Sequence, residues 1–311
     1  MTGGIINVYK PSGPTSFDVV AAVRRAAGIK RVGHLGTLDP MAEGVLPVAV
    51  GSAARVMEYL DGDTKDYLAA VRLGLETDTQ DVTGEVIRLA ENVNVTKDAV
   101  REALLGFLGE YDQIPPAYSA LKLNGKKLYE YARKGITPDI EPRRVYVEDI
   151  RDISFDPEKQ EVSFLASVSK GTYIRTLAKD LGDRLGCGAC LAALERRRSG
   201  SFQAEDAVAL RDLAGMDPEE IGRLMKSPDS ALAAFGSARL GEWESTLFRR
   251  GVRLRPDQWK AEAGQGFPAW LDPETKARYE RLFRVYGSDG SFLGVGEGEE
   301  EGTLRTDKVF V

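Results

Sequence analysis

The chain has 311 residues, 42% of them hydrophobic, and a formal net charge of −6, a balance that fits a soluble protein of about two domains and excludes a wholly basic nucleic-acid coat. No run approaches the roughly 18 apolar residues that span a bilayer, and residues 3–11 are too soon broken by Pro11 to be a secretory signal, so a cytoplasmic location is expected. The two cysteines, Cys187 and Cys190, are too few for a disulfide-built fold.

In chain order, residues 5–9 read as a strand that stops at the rigid Lys10-Pro11-Ser12-Gly13-Pro14 loop. Thr15 is a predicted N-cap with Asp18 three residues on. Val19, Val20, Val23 and Ala27 share the inward face of the helix, and Gly28 closes it. Next comes Gly33-His34-Leu35-Gly36-Thr37-Leu38-Asp39-Pro40, with the only histidine of the chain. Pro40 biases Asp39 toward extended backbone, and two glycines three residues apart allow a sharp turn or a close approach, so His34 and Asp39 can be presented from a non-helical loop. An ordinary turn with a capping aspartate is the alternative.

The apolar run 45–50 predicts a strand buried on both faces, 53–60 a brief helix, and 66–73 a strand with Tyr67 near its start. The acidic loop 77–84 lacks the ligand ladder of a calcium site. Thr96 caps a helix expected to end at Gly109, Asn124-Gly125 predicts a two-residue turn, and 126–134 reads as a short basic helix with tyrosines along it. Residues 145–155 and 161–168 alternate as an antiparallel pair. From 173 to 185 the spacing is helical, with Arg175 near the N-terminal end, where a cation gains nothing from the dipole. A fixed anionic partner explains it, as does simple surface exposure. Cys187-Gly188-Ala189-Cys190 lacks the second pair or histidines of a zinc site and reads as buried small residues. Phosphate-cradling loops, the dinucleotide fingerprint and the serine nucleophile elbow are missing.

Charge is unevenly spread. Basic clusters at Arg24, Arg25, Lys30 and Arg31, at Lys122, Lys126, Lys127, Arg133 and Lys134, at Arg143 and Arg144, and at Arg196, Arg197 and Arg198 interleave with tyrosines, while acids gather at 297–301. Cations for phosphates beside aromatic faces for unstacked bases point to a polyanion partner. The element pattern, with antiparallel hairpins among helices, is α+β.

The chain closely resembles the bacterial TruB family of tRNA pseudouridine synthases, which convert uridine 55 of the TψC loop. The blocks that carry the resemblance are residues 33–40 with Gly44-Val45-Leu46-Pro47, Lys65-Asp66-Tyr67, residues 115–122 with 125–133, and Lys170-Gly171-Thr172-Tyr173-Ile174-Arg175. A looser resemblance to a small RNA-binding PUA domain covers about 237–311. The resemblance implies a pseudouridine synthase fold with a central mixed, largely antiparallel sheet in residues 1–236, an RNA-binding insertion at about 115–145, and a small C-terminal β-barrel of PUA type at 237–311. It implies Asp39 as the essential carboxylate acting on a flipped-out uridine, Arg175 as its ion-pair partner, Tyr67 stacked on the base, and Tyr173 and Leu194 lining the pocket. His34 would pack against bases of the RNA loop, Lys10 would support the pocket wall, and Lys122, Lys126, Lys127 and Arg133 would meet phosphates. No metal, redox or nucleotide cofactor and no obligatory protein partner is implied; the partner is the tRNA T-arm. Two departures stand out: Glu195 intrudes before Arg196, Arg197 and Arg198, leaving open which arginine meets phosphate, and the acids at 297–301 argue against phosphate contact along that edge. Truncation near Gly236 is expected to weaken tRNA affinity more than chemistry. A non-catalytic tRNA-binding protein and a carboxylate-based nucleoside hydrolase are the competing readings.

Overall fold

The computed structural model describes residues 3–136 and 138–310; Thr137, inside the expected insertion, lies outside the described residues, as do Met1, Thr2 and Val311 at the ends of the expected domains. The chain divides into two units, Met1–Pro40 with Gly44–Asp63 and Arg198–Val311, and Met41–Glu43 with Thr64–Arg197.

In the first unit, strand Gly3–Lys10 pairs antiparallel with Glu43–Gly51 and parallel with Val208–Ala209. Residues 44–50 are buried throughout, as an unbroken apolar run with both faces covered should be. Val32–His34 also joins Glu43–Gly51, with His34 opposite Val48, so the expected loop begins as a strand too short to show alternation. Its two glycines differ. Gly36 has φ 130°, where a side chain is strained, whereas Gly33 has no positive φ and a Cβ there would meet open space. Helix Ser16–Ala27 follows the cap chemistry of its sequence: the Asp18 N–H donates to Thr15 Oγ1, the Thr15 N–H donates to Asp18 Oδ2, and Gly28 closes it at φ 65°. The hydrogen bond from Thr15 holds the Asp18 carboxyl below its ordinary value.

The predicted helix at 53–60 is a 3₁₀ helix, Ser52–Tyr59. Its buried residues, Ala53, Val56 and Tyr59, recur every third position, which a three-residue turn aligns on one face. That face joins a core with Phe235, Leu271, Tyr279, Leu282, Val295 and Phe310, so the C-terminal sheet and the N-terminal segment share one apolar interior. Polar bonds seal it. The Tyr59 hydroxyl donates to Asp307 at 2.5 Å, Ser52 Oγ to the Phe310 carbonyl at 3.0 Å, and the Tyr279 hydroxyl to the Glu58 carbonyl at 3.2 Å. The C-terminal sheet runs Lys260–Glu262, Gly236–Arg239, Leu282–Tyr286, Phe292–Gly298, Leu304–Val309, antiparallel except between Gly236–Arg239 and Leu282–Tyr286. The acidic run is not a bare negative edge: Glu297 pairs with Arg281 and Arg305, and Glu299 with Arg253 and Arg305.

In the second unit, Ala189–Ser199, Thr64–Leu73, Glu161–Ser169, Arg143–Asp156 and Gly109–Gln113 lie side by side in that order, the last four as antiparallel neighbours. Helices Lys97–Leu105 and Ile174–Arg184 pack on this sheet and on each other. The first of them stops at Gly106, a turn before the expected Gly109. Asn124 and Gly125 both have positive φ, 50° and 79°, and join Lys122–Leu123 to Lys126–Lys127 as a tight hairpin, so the predicted basic helix shrinks to Leu128–Ala132. Cys187 and Cys190 are buried and unbridged, and burial pushes the Cys190 thiol up to about 11. No group of three or more histidine, cysteine, aspartate or glutamate side chains placed to hold a metal occurs among the described residues, and none of their helices is long and apolar enough to cross a membrane.

Asp180 on Ile174–Arg184 accepts a hydrogen bond from the Tyr111 hydroxyl. Burial, then the like charge of Asp183, push its carboxyl up to about 6 against the pull of Arg184. A carboxyl raised in the folded state adds stability that is complete below the ordinary 3.8 and fades as pH rises through about 6. Asp180→Asn is therefore expected to be more stable than wild type at about pH 8, by roughly 1 kcal/mol because solvent screens a half-buried site, with no gain at about pH 4; urea unfolding at both pH values measures it.

Candidate active site

Asp39 sits half-buried in the turn after Val32–His34, between buried Leu38 and exposed Pro40. The backbone around it is fixed by buried polar groups. Ser16, 2% exposed in the first turn of its helix, donates from Oγ to the Leu38 carbonyl and accepts from the Leu38 N–H, both at 2.9 Å. On the other side of Asp39, the Pro40 carbonyl accepts from the Gly13 N–H at 2.8 Å and from Lys10 Nζ at 3.1 Å. Lys10, fully buried, also donates to the Pro11 carbonyl at 2.9 Å. The residues before and after Asp39 are thus each held by two bonds, which fixes the backbone on both sides of the carboxylate. Beside this loop, His34 meets the Phe17 ring edge-on, with centroids 5.7 Å apart.

In the second unit, Arg175 is 4% exposed at the start of Ile174–Arg184. Its guanidinium donates to the Thr79 carbonyl at 3.2 Å and to the Tyr118 carbonyl at 3.1 Å. Both acceptors are neutral carbonyls, and together they fix the direction in which the guanidinium points. The reading of Arg175 as a surface arginine is therefore wrong. The acidic loop at 77–84 supplies one of the two carbonyls, and its Asp81 accepts from Thr79, from the Thr83 N–H and from the Thr83 hydroxyl. Tyr173 caps the helix, and the buried Gln113 amide clamps its peptide, accepting from the Tyr173 N–H at 2.8 Å and donating to its carbonyl at 3.0 Å. Tyr67 ends the inward row of Thr64–Leu73, opposite Ala166, and is 7% exposed; Leu194 is equally buried on the neighbouring Ala189–Ser199.

Residues 24–174 match the N-terminal domain of the TruB family pseudouridylate synthases, 175–233 the tRNA pseudouridylate synthase B C-terminal domain, and 265–310 a second C-terminal domain of pseudouridine synthase II TruB. The tRNA pseudouridine synthase B of Clostridium perfringens is 40% identical over 308 residues, 99% of either chain. That of Symbiobacterium thermophilum is 50% identical over 212 residues, 68% of this chain and 71% of its own. The chain belongs to the TruB family of pseudouridine synthases. It is therefore an isomerase. A crystal structure of a Cbf5–Nop10–Gar1 complex has a similar fold, with a TM-score of 0.72 and 25% identity over 99% of this chain and 85% of that one.

In this TruB-family protein the basic candidates separate by setting. Lys122, Lys126 and Arg133 are exposed on the hairpin and after the helix Leu128–Ala132; Lys127 is half-buried. Lys127 Nζ and the Arg133 guanidinium lie 5.4 and 5.3 Å from the Tyr129 ring centre and the Tyr131 hydroxyl donates to the Leu123 carbonyl, so Tyr129 and Tyr131 pack within the insertion, whereas the Tyr118 hydroxyl donates to Asp78 in the 77–84 loop. Arg144 is engaged by Glu110 and Asp112. Among the three consecutive arginines, Arg196 is fully buried, Arg197 pairs with Glu195 at 2.8 Å, and Arg198 donates to the Gly200 carbonyl, which removes Arg196 from the surface a phosphate can reach.

Ser16 and Gln113 escape sequence reasoning. Each is a neutral side chain whose partner lies 22 or 60 positions away, and periodicity reports neither. The only hint is that Ser16 follows an N-cap already satisfied by Thr15, leaving its hydroxyl free for another task. Ser16→Ala is expected to lower turnover about 10- to 100-fold with little change in KM, since it loosens the Asp39 loop without touching RNA, and to cost about 1–3 kcal/mol for the two unpaired Leu38 groups; steady-state kinetics beside urea unfolding separates the effects.

Proposed function

We propose that this protein isomerises uridine 55 in the TψC loop of tRNA to pseudouridine, on a nucleotide flipped out of the RNA, with Asp39 as the essential carboxylate. The observation that carries the reading is the Asp39 loop: a half-buried carboxylate on a backbone held on both sides by buried Ser16 and Lys10 is a preorganised reactive group, unlike a solvated turn. The relatives at 40–50% identity, named tRNA pseudouridine synthase B, support tRNA as substrate.

The reaction breaks the N1–C1′ bond, turns the uracil within the site and joins C5 to C1′. The proton lost from C5 is matched by one gained at N1, so the net change is an isomerisation. Asp39 must act as a carboxylate, as nucleophile or base. We assign Arg175 as the cation that pairs with it, Tyr67 as the ring stacked on the flipped base, and Tyr173 and Leu194 as pocket lining. Stacking returns part of the few kcal/mol that unstacking costs. His34 packs against bases of the RNA loop, Lys10 supports the pocket wall, and Lys122, Lys126, Lys127 and Arg133 neutralise phosphates from the insertion at 115–145. Residues 237–311 serve as an accessory RNA-binding domain of PUA type, and the work is done in the cytoplasm.

Arg175→Ala is expected to cut turnover about 100- to 1,000-fold and stability by about 1–3 kcal/mol, because the Thr79 and Tyr118 carbonyls lose their donor; Arg175→Lys should not restore turnover, since an ammonium cannot reproduce the fork. Turnover at saturating RNA, with unfolding in parallel, checks both.

The test of the reaction class is incubation of a tRNA transcript labelled in uracil with the protein, followed by nuclease digestion and chromatography. A synthase yields pseudouridine and no free base. Free uracil would make the protein a hydrolase, and unchanged RNA that is nevertheless bound would make it a binding protein.

A further inference from the structure

Phe17 is the most exposed aromatic side chain beside the Asp39 loop, 72% accessible, and the helix it opens buries Val19, Val20 and Val23 instead. A large apolar ring turned to water has no folding rationale where the same helix has a complete inward face. Three features frame it. Its edge contact with His34 builds a two-ring corner with centroids 5.7 Å apart. Gly33, next to His34, has nothing within 4 Å of where a Cβ would stand, so the surface at this corner is open to a close approach. Arg24, seven residues after Phe17 on the same helix, shares its face two turns on, and Arg31 is likewise exposed.

We propose that Phe17 is an RNA-contacting residue that stacks on an unpaired nucleobase of the substrate loop, adjoining the base that His34 meets, with Arg24 on the neighbouring phosphate. The inference rests on the RNA-substrate reading above. Aromatic faces accept any base, and a guanidinium at helical spacing supplies the charge that the strand between bases requires. Asp18, also exposed, keeps its negative charge, but its side chain is tied back onto Thr15 through that residue's N–H and hydroxyl.

The experiment measures dissociation constants and turnover of wild type, Phe17→Ala, Phe17→Leu and Phe17→Tyr on an RNA stem-loop of the T-arm sequence, and on the same stem-loop with abasic sites at the unpaired loop positions other than the target uridine. Phe17→Ala and Phe17→Leu should bind the intact loop roughly 5- to 100-fold more weakly, Phe17→Tyr within about twofold of wild type, and all four proteins should bind the abasic loop alike. Thermal unfolding of the variants should match wild type, as the side chain is exposed. Full affinity of Phe17→Ala, or an equal loss on the abasic loop, overturns the stacking role; if wild type meanwhile forms pseudouridine, the reaction assignment survives. Absence of RNA binding by wild type overturns both.

Discussion

Asp39→Asn is expected to lose at least about 10,000-fold in turnover while binding RNA within a few-fold of wild type. The magnitude is what the role proposed for Asp39, bonding to or taking a proton from the reacting atoms, requires. The retention of binding follows from geometry. The bonds from Ser16, Lys10 and Gly13 go to the backbone of Leu38 and Pro40, so an isosteric amide at 39 leaves them in place. Presteady-state turnover on bound tRNA, compared with the equilibrium affinity, measures both quantities. A loss of affinity as large as the loss of turnover would mean that Asp39 serves the loop rather than the chemistry.

Truncation after Gly236 is expected to yield no folded protein, which revises the expectation that it would chiefly weaken RNA affinity. The cut removes Leu271, Tyr279, Leu282, Val295 and Phe310 from the core that Tyr59 and Phe235 share, together with the Asp307 carboxylate that Tyr59 bonds. At about 1.5–3 kcal/mol for each large apolar side chain, the loss is comparable with the whole stability of a typical domain, about 5–15 kcal/mol. Circular dichroism and solubility of the truncated chain decide the matter. A soluble fragment with native far-ultraviolet signal and a cooperative melt would show that the shared core is dispensable.

Local signals were the legible part of this sequence. Thr15 and Asp18 form the capping box their spacing predicts, Asn124-Gly125 makes the hairpin, and the 45–50 run is buried on both faces, because each is written in a few adjacent residues. What the spacing hid was long-range. The 53–60 segment looks helical at any period near three, and only the shared core with Tyr279 and Phe310 selects the tighter turn. The acids at 297–301 read as a negative edge until Arg253, Arg281 and Arg305 are brought beside them by strand pairing and chain return. At the site, a conspicuous loop announced Asp39, but the reason that loop is rigid lies in Ser16 and Lys10, whose bonds reach across 22 and 30 positions.

The central claim, that the pinned Asp39 carboxylate isomerises one uridine of tRNA, is tested most directly by mapping pseudouridine along an unmodified tRNA transcript after treatment with wild type and with Asp39→Asn. Chemical derivatisation and primer extension should give one new stop, one nucleotide 3′ of position 55 and so assigning pseudouridine there, with wild type and none with the variant. Product at another position, none with wild type, or an undiminished stop with Asp39→Asn would contradict it.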